Sequence, residues 1–137
     1  MSLRALPLIV IAFVLYNVIV LLGGAEPIAT LGKEIFSIPM ISKGRWVFTW
    51  GDFILLLTFL LLFIELLKST YTSTASLLDH GLSMLVFVVC LIEFIVVPQA
   101  ATSVFFLIMV ATLIDVVAGY TIGIRVARRD LNIGGEA

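Results

Sequence analysis

The sequence predicts an all-α integral membrane protein: an antiparallel up-down bundle of four transmembrane helices with one structured outer loop. Three observations carry this reading. Of 137 residues, 62% are hydrophobic and 12% charged, whereas a soluble domain carries about 25% charged residues. Four apolar stretches, 5–22, 53–67, 77–97 and 103–124, approach the roughly 20 residues that a spanning helix needs. None of them alternates polar and apolar residues at period 2, as the strands of a membrane β-barrel do.

The first stretch follows Arg4 and precedes "GGA", the flanks of a signal peptide. Its apolar run exceeds the roughly 7–15 residues of a signal core, so it reads as a retained helix. The second is short, but Trp50 and Lys68 at its ends suit the two interfaces, which extends the span to about 52–68. The third and fourth run to about 77–97 and 103–125. "KSTYTSTAS" and "PQAAT" join the last three spans, and connections this short favour antiparallel neighbours. A single membrane domain over 1–137 results, with no internal repeat. Its outer loop is 23–51 and its cytoplasmic tail 126–137, of which "RRDLNIGGEA" is expected to fray.

Within the outer loop, "EIFSIPMISKGRWVFTWG" is too apolar for a free linker. Gly44 divides two runs rich in β-branched and aromatic residues, the pattern of a hairpin. It would lie on the membrane, with Trp46 and Trp50 as interface anchors. The alternative, a short interfacial helix, is opposed by Pro39. Orientation follows the basic residues near the span ends. Arg4, Lys68, Arg125, Arg128 and Arg129 fall on one side, against Lys33, Lys43 and Arg45 on the other. Both termini are therefore expected in the cytoplasm, in a bacterial-type plasma (inner) membrane.

Net charge of −1 and a single His are unlike a nucleic-acid surface, which needs a basic face. One Cys, Cys90, allows no intrachain disulfide and reads as a packing residue. His80 and Cys90 alone make no zinc site, and the glycine pairs lack the strand–helix context of a phosphate loop. Neither metal nor cofactor is expected, and no enzyme.

The residues that call for explanation are the polar ones inside the spans. "TWGD" and "SLLD" place Thr49 and Ser76 three residues before Asp52 and Asp79, the capping-box spacing at a helix start. Glu65 and Lys68, at i,i+3, form a pair. Glu93, in "VFVVCLIEFIVVPQ", and Asp115, in "VATLIDVVAG", sit far from any helix end. An acid at the bilayer centre costs about 2.5–3.5 kcal/mol on insertion scales and so faces protein or water. At 1.5 Å rise per residue, depths can be compared across spans. Asn17, Thr58 and Glu93 should share an outer layer, with Asn17 donating to Glu93. Glu65, Ser83 and Asp115 should share an inner one, with Lys68, Asp79 and His80 a turn further in.

On the third span Asp79, Ser83, Cys90 and Glu93 share a face. On the fourth, Ala111, Asp115, Ala118 and Gly119 do, and Gly119–Gly123 is a GxxxG, which lets helix backbones approach closely. The expected function is a self-associating or accessory subunit of a membrane assembly, partnered by lipid and by copies of itself or other membrane subunits. Its intramembrane acids would then be mainly structural. One alternative is a homo-oligomeric proton or cation channel or exchanger using Glu93 and Asp115, with Asn17, Glu65 and His80 as further steps of the path. A second is a lipid-active enzyme built on Glu65, Asp79 and His80.

Overall fold

The computed structural model describes residues 6–71 and 74–135, without the side chains of 74–76 and 133–135. In chain order the elements are α1 (Val10–Leu22), α2 (Pro27–Leu31), β1 (Glu34–Pro39), β2 (Arg45–Thr49), α3 (Trp50–Lys68), α4 (Thr74–Val96), a 3₁₀ turn (Pro98–Ala100) and α5 (Ser103–Gly135). The described chain is mostly helical. Three helical segments, Trp50–Lys68, Leu77–Val96 and Ser103–Asn132, are long and apolar enough to cross a membrane.

The first apolar stretch differs from expectation. Its helix has 13 residues, about 20 Å at 1.5 Å per residue, against a hydrocarbon core of about 30 Å. Two features start it late. Pro7 has no N–H to give, and the Leu8 N–H goes to the Glu65 carboxylate instead of a helical carbonyl. Pro7 marks this start locally, whereas the Leu8–Glu65 bond spans 57 positions.

α3 starts as the sequence predicts. Thr49 Oγ1 accepts the Asp52 N–H at 3.2 Å, and Asp52 Oδ2 accepts the Thr49 N–H at 3.0 Å, a complete capping box. The matching expectation for Ser76–Asp79 does not hold. α4 begins at Thr74, which leaves Asp79 inside the helix and buried; the side chain of Ser76 lies outside the described residues. α5 also overruns its expected end at about residue 125, continuing to Gly135 and so into the "RRDLNIGGEA" tail. Residues 126–133 contain no proline or glycine, so nothing in that segment breaks the helix.

α5 packs most extensively on α4 and α3, and α1 lies against α3 and α5. One end of the body brings the start of α3 to the start of α5, where a Cβ on Gly51 would meet Val104 Cγ2 at 3.1 Å and the Leu31 carbonyl at 3.3 Å. The other end brings Glu65 of α3 to Asp79 of α4 and to residues 6–8. An apolar core, Tyr16, Val20, Ile54, Cys90, Phe105, Ile108 and Met109, gathers toward the end where α3 and α5 start. Phe105 is its centre, with Tyr16, Phe13 and Phe94 rings at 5.0, 6.2 and 6.3 Å.

The loop between α1 and α3 holds a hairpin rather than an interfacial helix, preceded by the short α2. β1 and β2 pair antiparallel, with Phe36 opposite Phe48, Ile38 opposite Trp46 and Pro39 opposite Arg45. The turn at Met40–Gly44 is closed by Met40 N–H to Gly44 O at 2.8 Å and Lys43 N–H to Met40 O at 3.0 Å. Lys43 takes the left-handed conformation there, with φ 70°.

Candidate functional site: a buried carboxylate cluster

Helical spacing sets the three faces that make up the cluster. Glu65, Lys68 and Ser69 stand on one face of the last turn of α3. Asp79 and Ser83 (i,i+4), with His80 beside Asp79, project from α4. Asp115, Gly119 and Gly123 repeat every four residues on α5, so they stack along one face. Where these three faces meet, Glu65 is 0% exposed, Ser83 2%, Asp79 and Asp115 3%, and His80 7%.

Lys68 is the hub. Its Nζ lies 3.1 Å from Glu65 Oε1 and 3.3 Å from Asp79 Oδ1, and donates to the Leu6 carbonyl at 2.8 Å. Glu65 Oε1 also accepts the Leu8 N–H. One cation and one carboxylate therefore bind two helices and the chain ahead of α1. Ser69 and Ser83 turn their hydroxyls back to the Glu65 and Asp79 carbonyls, at 3.2 and 2.8 Å. Asp115 meets Ser83 and lies within electrostatic reach of Glu65. Glu65 Oε2 and Asp115 Oδ2 are buried without a hydrogen-bond partner.

The GxxxG glycines serve His80. A Cβ on Gly119 would meet the imidazole and Ser69 Oγ at 3.2–3.3 Å, and one on Gly123 would meet His80 Nε2 at 3.1 Å. The ring lies along α5 with Tyr120 beside it, centroids 4.9 Å apart. The motif's close approach is thus spent within the chain, on an α4 side chain.

A second polar group lies toward the hairpin end. Asn17 Nδ2 donates to Glu93 Oε2 at 3.4 Å and to the Phe13 carbonyl at 3.0 Å; Glu93 is half-buried. Next to it, Tyr16 is 1% exposed, and its hydroxyl reaches the Gln99 carbonyl and Thr102 Oγ1, both at 2.7 Å. Sequence reasoning passed over Tyr16. The available signal was a phenol inside an apolar run, since a buried tyrosine hydroxyl normally finds a partner.

The five proposed path residues therefore fall into two groups: Glu65, His80 and Asp115 in one, Asn17 and Glu93 in the other. Along α4 the 14 residues from Asp79 to Glu93 span about 21 Å. Cys90, 0% exposed, lies within that interval on α4, whereas Phe105 stacks on Phe94 beyond Glu93. Thr58 and Thr112 are buried at intermediate depth, but each hydroxyl returns to its own helix, to the Ile54 carbonyl at 2.7 Å and the Met109 carbonyl at 2.5 Å. Among the described residues no three His, Cys, Asp or Glu side chains are arranged to hold a metal ion.

No family model, no curated protein and no solved structure matches this chain.

Proposed function

We propose that the chain is a small multi-pass protein of a bacterial-type plasma membrane, with both termini cytoplasmic, acting as an accessory or self-associating subunit of a membrane assembly. The observation that carries this reading is what the interior polar groups do. Lys68, Glu65, Asp79, Asn17, Glu93 and Tyr16 join separate elements, and about 21 Å of helix along α4 keeps the two groups apart. Carboxyls used in this way fix packing. The neighbours at each end also favour an up-down bundle of four spans, with α1 completed by the residues before it.

Self-association would use a face other than the GxxxG, which is occupied by His80. The exposed row of Ile11, Val14 and Val18 on α1 and that of Leu113, Ile114 and Val117 on α5 are the surfaces offered. Chemical crosslinking and affinity capture in native membranes test the proposal: a discrete homo-oligomer or a stoichiometric membrane partner is expected. Recovery of monomer alone overturns it.

One observation favours a second reading, proton or cation exchange. Glu65 Oε2 and Asp115 Oδ2 are buried acceptors without donors, and a proton or a small cation would satisfy them. Flux in proteoliposomes that is lost in Asp115→Asn, with assembly preserved, would establish it. Loss in Glu93→Gln as well would extend the path to the second polar group. The burial of Glu65, Asp79 and His80 counts against lipid-active catalysis at these residues.

A further inference from the structure

The hairpin is the part of the molecule that the helical body leaves uncovered. From Gly32 to Val47 every residue except Ser37 is exposed. A two-stranded hairpin by itself is marginally stable at best in water, so this one needs a surface to lie on. Its cross-strand register puts Phe36, Ile38, Trp46 and Phe48 on one face. The Phe36 and Phe48 rings stack at 4.9 Å, and Trp46 meets both edge-on at 5.6 and 5.8 Å. Phe36, Ile38 and Trp46 are each more than 40% exposed, and Ile41 in the turn is completely so.

Position and charge identify what covers that face. β2 runs directly into α3, and the Trp50 N–H donates to the Lys33 carbonyl at 3.1 Å, so the root of the hairpin is fixed where an apolar spanning segment begins. Lys33, Lys43 and Arg45 stand in this stretch against one acid, Glu34. Aromatic rings and exposed aliphatics flanked by cations are the composition of an interfacial membrane anchor, and basic residues there attract anionic headgroups.

We infer that the Phe36–Ile38–Trp46–Phe48 face and the Met40–Ile41 turn lie in the interfacial zone of the bilayer, with Lys43 at the turn on anionic lipid headgroups, while Arg45 is turned to the opposite face, where it donates to Ser37 Oγ. This rests on the reading that the helices cross a membrane, and the test separates the two. The chain has two tryptophans, so full-length Trp50→Phe reports Trp46 alone. It is reconstituted in nanodiscs of brominated phosphatidylcholine with phosphatidylglycerol. A control carries Trp46→Phe, Trp50→Phe and Phe59→Trp, placing the indole at an exposed site in the middle of α3.

Expected is strong quenching of Trp46 by bromine near the headgroup end of the acyl chain and of the α3 reporter by bromine deep in the chain. Removing the anionic lipid, or Lys43→Glu, should reduce Trp46 quenching at least twofold. An unquenched Trp46 with water-exposed emission beside a quenched α3 reporter overturns the hairpin inference alone. Two unquenched reporters overturn the membrane reading as well. Trp46 quenching indifferent to anionic lipid overturns the headgroup assignment, and a crosslink between Ile41→Cys residues of two copies at high yield would show that a second chain covers the face.

Discussion

The two ends of the helical body are held by different chemistry. At the Glu65 end, α3, α4 and the chain ahead of α1 meet through one partly exposed lysine and two carboxylates all but removed from solvent. At the hairpin end, α1 and the start of α5 meet through rings around Phe105 and the neutral hydroxyl of Tyr16. The contrast matters because lipid supplies no hydrophobic force between helices. Apolar packing must then act through close fit, while a buried ion pair acts through the cost of leaving either charge alone. The charged end should fail sharply when one partner is removed; the aromatic end should fail by degrees.

The largest effect is expected from Lys68→Met, which keeps the stem and deletes the charge. Breaking a buried pair by removing one partner costs about 3–5 kcal/mol. Unfolding by SDS in mixed micelles should report a loss of this order. Amide exchange at Leu8 should accelerate too, because the variant also releases the Leu6 carbonyl. A loss below about 1 kcal/mol, the range of exposed ion pairs, would show that the cluster is solvated and erase the contrast.

Gly119→Val tests the same end through shape. The added carbons have Ser69 Oγ and the His80 ring in their way, and overpacking of this kind costs about 1–3 kcal/mol. The same micelle titration measures it, and rescue by His80→Ala would identify the imidazole as the obstacle. If Gly119→Val is instead neutral in stability but breaks a crosslinked oligomer, the glycine face lies between copies and not within one.

Depth matching by helical rise put Asn17 beside Glu93 and gathered Glu65, Asp79, His80 and Asp115, because interior acids must find partners and straight helices keep count. The hairpin was legible for a local reason, two β-branched and aromatic runs around Gly44. What was not legible depends on contacts far apart in sequence. Nothing near Leu8 shows that Glu65 will take its N–H, so Pro7 was the one local sign that α1 starts late. Asp79 looked like a cap because its spacing to Ser76 is right; its bond to Lys68 depends on how the α3–α4 connection folds. The GxxxG announced a close approach without saying that a histidine would fill it.

At the aromatic end Tyr16→Phe removes the hydroxyl and keeps the ring on Phe105. The loss should be about 1 kcal/mol, the usual net value of an intramolecular hydrogen bond, in the same SDS titration. A loss of 3 kcal/mol or more would mean that the hydroxyl, rather than the rings, joins α1 to α5 there, making the two ends alike.

The smallest effect is the most discriminating. Lys68→Met and Tyr16→Phe share no partner, and the double variant should lose the sum of the single losses to within about 0.3–0.5 kcal/mol. α3 and α5 each run from one end to the other, so a coupling well above that range would mean that a change at the charged end shifts the packing around Phe105. Such a coupling would turn two separate fastenings into one cooperative unit. It would also give the buried carboxyls a means of acting on the hairpin end without any polar path between them.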